Sequence, residues 1–118
     1  MAESFKALTV WQRSVELTVH VYKTTSAFPE SERFGLTNQL RRAAVSVASN
    51  IAEGYGRASK GEYIQFLGHA RGSNYEIETQ IAIARELGFG SKESLSKAED
   101  LSLEVSRMLG TMILGLRK

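Results

Sequence analysis

Gly54-Tyr55-Gly56-Arg57-Ala58-Ser59-Lys60-Gly61-Glu62-Tyr63, near the middle of the chain, admits two incompatible readings. Three glycines beside a lysine invite a phosphate-binding loop. That loop needs lysine and then serine or threonine after its last glycine, the lysine to meet phosphate and the hydroxyl to meet magnesium, whereas Gly61 is followed by Glu62-Tyr63. A dinucleotide fingerprint needs a third glycine where Ser59 stands, and a strand before it. A break between two helices satisfies every residue. Ser59-Lys60-Gly61-Glu62 has capping-box spacing, with a serine hydroxyl placed to accept from the Glu62 amide, and Gly54 and Gly56 punctuate what comes before.

On the N-terminal side of this break, Leu36, Leu40, Ala43, Ala44, Val47, Ile51 and Tyr55 recur at helical spacing and predict a helix over 36–55 whose alanines admit a close neighbour. Arg42, Ser46, Ser49 and Glu53 form a polar stripe on the same helix. On the C-terminal side, Tyr63, Phe66, Leu67, Ala70, Ile77, Ile81 and Ala84 predict a third helix that Gly88 ends. Phe28-Pro29-Glu30-Ser31 and Gly88-Phe89-Gly90 supply the two remaining turns. A first helix is expected from about Thr9 to Ser26, with Thr9 and Gln12 as its capping box, and a fourth follows Ser91 with an apolar stripe from Leu95 to Leu116. No run alternates with period two, so strands are not expected. The expected fold is all-α, a single domain over residues 1–118. Short turns between long helices make it an up-down-up-down antiparallel four-helix bundle.

The first helix has more apolar surface than such a bundle uses. Leu8, Trp11, Val15, Val19 and Tyr22 make one stripe, and Val10, Leu17 and Val21 a second beside it. Together they span about 200° of arc where about 100° faces a core. The surplus predicts a homo-oligomer.

With the turn at Ala58, residues of the second and third helices whose numbers sum to about 116 share a level. Arg41 and Arg42 then face Asn74 to Glu78, which predicts arginine–glutamate pairs, and Glu53 faces Tyr63; Asn50 and Asn74 are expected to fix register. Glu62, His69, Glu76 and Glu78 include no Glu-x-x-His, so no metal and no cofactor are expected.

Composition removes further classes. No cysteine means no disulfide, thiolate metal site or cysteine nucleophile, and two histidines offer little to a metal. No window nears the ~18 apolar residues of a membrane span, and Met1-Ala2-Glu3-Ser4 lacks the pattern of a secretory leader, so a cytoplasmic protein away from membranes is expected. A formal charge of +2 is mild for a nucleic-acid domain. The bases nevertheless gather mid-chain, since residues 59–118 balance eight bases with eight acids. Arg57, Lys60, Arg42 and Arg71 are the candidate nucleic-acid contacts, of which Arg57 and Lys60 at the turn are preferred, and repetition around an oligomer would sum their weak fields. No small-molecule substrate is indicated. Arg13 and His20, two helical turns apart, resemble the signature pair of HEPN-type ribonucleases and define the alternative, an RNA-cleaving enzyme.

Gln39-Leu40-Arg41-Arg42-Ala43-Ala44 and Ser49-Asn50-Ile51-Ala52-Glu53-Gly54, with Leu8-Thr9-Val10-Trp11-Gln12, Glu62 to Leu67, Ala70 to Thr79 and Met108-Leu109, closely resemble a bacterial family. It is the four-helix-bundle family named for reading frames inside 23S rRNA intervening sequences, also called the S23 family. Ala48 stands where many relatives carry proline, implying a straighter second helix. The resemblance implies a left-handed up-down bundle, assembly into a ring of five, and no established enzymatic activity. A related branch, the accessory protein of diversity-generating retroelements, is similar in fold and pentameric form and binds nucleic acid and a reverse transcriptase, so the expected function is a non-catalytic scaffold that associates with RNA or other nucleic acid, or with protein partners.

Overall fold

The structure, a computed structural model, describes residues 4–118; Met1–Glu3, read above for a leader, lie outside the described residues. Four α-helices form it: α1 Thr9–Thr25, α2 Leu36–Tyr55, α3 Lys60–Leu87 and α4 Lys92–Leu116. One-turn 3-10 segments precede α1 and α2, at Phe5–Ala7 and Glu30–Glu32, and no strand occurs among the described residues. The longest helix, 28 residues, accounts for the 45 Å length of a body 20 Å across, at 1.5 Å of rise per residue.

Local chemistry sets most of the ends. The Ser59 hydroxyl accepts from the Glu62 amide and the Ser91 hydroxyl from the Ser94 amide, each at 3.1 Å, so two orphan N–H groups are satisfied where the capping patterns place them. Gly88 stops α3 at φ +75°, a left-handed conformation that costs a β-carbon-free residue nothing. α2 has a different device. Glu32 reaches four residues forward and its Oε1 accepts from the Leu36 amide at 2.9 Å. The box expected at Thr9 is absent: Leu8 is the N-cap residue of α1, without a side-chain bond, and Gln12 donates instead to the Lys6 carbonyl at 2.9 Å. The preceding 3-10 turn brings that carbonyl within reach.

Each helix meets two others. α1 packs on α2 and α4, α3 packs on α2 and α4, and the backbones of the diagonal pairs do not approach one another among the described residues. Side-chain bonds order the contacts: Ser46 with Ser73 and Gln39 with Gln80 between α2 and α3, Asn74 with Ser102 and Arg85 with Glu99 between α3 and α4. Between α1 and α4, Arg13 pairs with Glu104 and His20 with Ser94. In every pair, numbers fall on one helix as they rise on the other. One apolar core runs the length, from Val10, Leu17 and Val21 of α1 to Val105, Leu109 and Ile113 of α4. Phe28 against Phe89, ring centres 5.7 Å apart, closes the end where two interhelical turns meet.

Two register expectations need correction. Asn74, fully buried, links α3 to α4 instead of α2: its Nδ2 donates to the Ser102 carbonyl at 2.7 Å, and the Ser102 hydroxyl donates back to Oδ1 at 2.8 Å. Asn50 donates to the Ser46 carbonyl and hydroxyl one turn back on its own helix, at 2.8 and 3.0 Å, and joins the α2–α3 seam through that serine. Both errors come from inferring a facing helix from level alone, because a helix in this bundle has two neighbours at every level.

Candidate nucleic-acid interface and apolar surface

The four candidate bases do not form one patch. Arg57 follows the last turn of α2 and is held in place, its guanidinium 2.6 Å from Glu53 Oε2 and stacked 4.6 Å from the centre of the Phe66 ring. Its charge is thus half-neutralised by an exposed partner. Lys60, the first residue of α3, is exposed and has no ion pair within 4 Å among the described residues. Arg42 lies about 22 Å back along α2, fifteen residues at 1.5 Å each. It opens on a polar cleft of about 580 Å³ between α2 and α3, with Gln39, Ser46, Ser73, Glu76 and Gln80. Arg71 is half-buried on α3. Among the described residues, the α2–α3 turn therefore presents one constrained and one unpaired cation, and Arg42 is a second unpaired cation farther up.

Arg41 and Arg42 lack the helix-three glutamate partners expected of them. Arg41 turns to the opposite neighbour, α1. Its Nε donates to Thr25 Oγ1 at 2.8 Å, an Nη donates to the Tyr22 carbonyl at 3.3 Å, and the guanidinium rests 4.6 Å from the centre of the Tyr22 ring. A cation on a carbonyl of the last turn of α1 also opposes the negative end of that helix dipole. Arg42, a residue on, points about 100° away and so cannot follow. Glu53, expected to face Tyr63, spends its carboxylate on Arg57.

Arg13 and His20 share the α1 face toward α4, as their spacing requires, and each has a partner there. Arg13 lies 2.9 Å from Glu16 Oε1 and 3.2 Å from Glu104 Oε2. The hydrogen bond to Glu16, with Glu104 nearby, raises its guanidinium above the ordinary value. His20 Nε2 is 2.9 Å from the Ser94 carbonyl, which can only accept, so that nitrogen carries a proton. Among the described residues, no group of three or more His, Asp or Glu comes together to hold a metal ion, and no helix is long and apolar enough to cross a membrane.

The outcome for α1 resolves its two stripes. Val10, Leu17 and Val21 enter the core. The other stripe stays at the surface, with Val19 49% and Tyr22 42% exposed, beside Val45 of α2 at 44%. Trp11, Val15, Val19 and Val45, with Ala48 and Ala52, line an apolar cleft of about 290 Å³ between α1 and α2. Periodicity shows both stripes equally. Only the position of α2 decides which of them is left outside.

The model of the 23S rRNA-intervening sequence protein family matches residues 6–111. The chain belongs to that family. No curated protein matches the sequence. Among solved structures, this intervening-sequence family member is similar to a protein with unknown function from the S23 ribosomal protein family of Bacteroides thetaiotaomicron. The TM-score is 0.80 at 23% identity, over 89% of this chain and 98% of that one. The match shows the fold.

Proposed function

We propose that this family member is a non-catalytic homo-oligomer that serves as an RNA-associated scaffold in the cytoplasm: a ring of five left-handed, up-down-up-down antiparallel bundles. The observation that carries the reading is the apolar α1/α2 surface around Val19, Tyr22 and Val45, which a monomer would leave in water. A ring is also what gives the scattered cations a use. One copy offers Lys60 and Arg42 with weaker help from Arg57 and Arg71, too little for measurable affinity, but five copies bring about ten phosphate contacts to one RNA. The ion pairs of Arg13 and the Ser94 bond of His20 support the non-catalytic reading, because both groups are occupied in holding α1 to α4.

Filter binding of generic RNA between about 50 and 200 mM salt tests this. Affinity should fall by roughly 10³- to 10⁵-fold across that range, and Arg42→Glu with Lys60→Glu should abolish it while helical content is kept. No binding at low salt, or binding indifferent to salt, rejects the RNA reading. In the same samples the RNA should stay intact. Cleavage that disappears in both Arg13→Ala and His20→Ala, with the fold retained, would replace the scaffold by a ribonuclease.

A further inference from the structure

The polar cleft between α2 and α3 is bounded by two bridges. Ser46 and Ser73 close one end, hydroxyl to hydroxyl at 2.9 Å, and Gln80 Nε2 donates to Gln39 Oε1 at 3.4 Å across the other. Between the bridges one charged side chain lines each bank, Arg42 three residues after Gln39 on α2 and Glu76 three residues after Ser73 on α3. The antiparallel register of the bridges puts these two within one residue of the same level, about 1.5 Å of rise. They do not meet: no ion pair joins them within 4 Å among the described residues. Ala43, buried and ending in a methyl group, also lines the cleft and leaves it room. Gln80 Oε1, shut off from solvent, has no hydrogen-bond donor among the described residues.

We infer that this cleft holds one unpaired guanine base. The inference rests on the RNA reading above and adds what the RNA must present. An arginine fork asks for two adjacent acceptors and a carboxylate for two adjacent donors, so a ligand between Arg42 and Glu76 has to offer both at once. Guanine does. Its O6 and N7 are neighbouring acceptors, and its N1–H and N2–H are neighbouring donors. No other RNA base has two adjacent donors: adenine and cytosine set one amino group beside an acceptor nitrogen, and uracil has a single N–H between two carbonyls. The second hydrogen on guanine N2 is a donor of the kind that Gln80 Oε1 lacks. Because Glu76 takes the Watson–Crick edge, the base must come from a single strand, the form in which RNA bases are read by side chains. The size agrees, since about 580 Å³ falls within the ~300–1,000 Å³ of ligand pockets and leaves space for a ribose beside the base.

Competition between short single strands at low salt tests this, oligouridylate against a strand of the same length with guanines interspersed, with guanosine and adenosine monophosphates titrated alongside. The guanine-bearing strand should bind about tenfold or more tighter, the discrimination of one good bidentate pair, and guanosine monophosphate should outcompete adenosine monophosphate by as much. Charge alone predicts that Glu76→Gln, which removes a negative charge at an exposed position, tightens every RNA. The cleft predicts instead that it erases the guanine preference and leaves oligouridylate bound at least as well. Arg42→Lys keeps the charge without the fork and should also erase the preference while oligouridylate binding holds. Circular dichroism verifies that both variants keep their helices. A guanine preference among the mononucleotides alone, lost in both variants, would assign the cleft to a free guanine nucleotide in place of an RNA base. Equal binding of the two strands and of the two mononucleotides, or a preference that survives both substitutions, overturns the guanine cleft and leaves the RNA reading standing. No strand bound at low salt rejects the RNA reading itself.

Discussion

Gly54→Ala probes a close approach of α2 to α3. Gly54 is buried in the last turn of α2, and a β-carbon built there would lie 2.8 Å from Phe66 Cβ, 3.1 Å from Tyr63 Cδ1 and 3.3 Å from the Tyr63 carbonyl oxygen. Carbon pairs prefer 3.5–4.0 Å, so roughly 0.7 Å must be found. Phe66 Cβ is fixed to the α3 backbone and cannot swing aside, so the helices themselves must part. Overpacking of this kind costs about 1–3 kcal/mol. Against it stands the gain from replacing glycine in a helix, about 1 kcal/mol in the interior and about half that in a last turn. The net expectation is a loss of about 1–2 kcal/mol, or a fall in Tm of about 4–8 °C for a chain of this length. Thermal unfolding at one fixed protein concentration measures it, since association would otherwise shift both curves. Gly72→Ala is the control: its β-carbon would meet nothing within 4 Å, and Tm should rise by up to about 4 °C. A Gly54→Ala protein as stable as wild type would refute the claim that this glycine sets the α2–α3 distance.

The buried α3–α4 bridge and the pH response give two further expectations. Asn74→Ala strands the Ser102 hydroxyl in the core and should cost about 2–3 kcal/mol in denaturant unfolding, while adding Ser102→Ala should cost less than the two single effects combined; strict additivity would show that the pair is not coupled. Burial, and then the neighbouring Tyr55, raise the Tyr63 phenol above its ordinary value. The unfolded chain therefore releases this proton first, so stability is whole below about pH 10 and declines as pH climbs from there through the raised native value. Urea unfolding between about pH 8 and 11 should show a shallower decline for Tyr63→Phe than for wild type, and identical slopes would remove Tyr63 as a cause.

The residues that stop helices could be read without a structure because they act on their own backbone. Ser59 and Ser91 cap amides three residues on, Gly88 adopts the one conformation a glycine favours at a helix end, and α2 spans the 36–55 that its apolar spacing marks. The failures share a cause as well. Thr9 had the right spacing to cap α1, but Gln12 found a nearer acceptor in a preceding turn, which local pattern does not reveal.

By itself the sequence determined that there are four helices, where they end, and that α1 is apolar over more arc than a bundle buries, since these properties repeat with the helical period or depend on a few adjacent residues. Tertiary structure alone decided that Val10, Leu17 and Val21 enter the core while Val19 stays outside, that Arg41 bonds to α1, that Asn74 bonds to α4, and that Arg57 is half-neutralised while Lys60 and Arg42 are unpaired among the described residues. Each of those outcomes depends on the azimuth of one helix against two neighbours. A rotation of a few tens of degrees exchanges a core residue for a surface one and leaves the periodic pattern of the sequence unchanged.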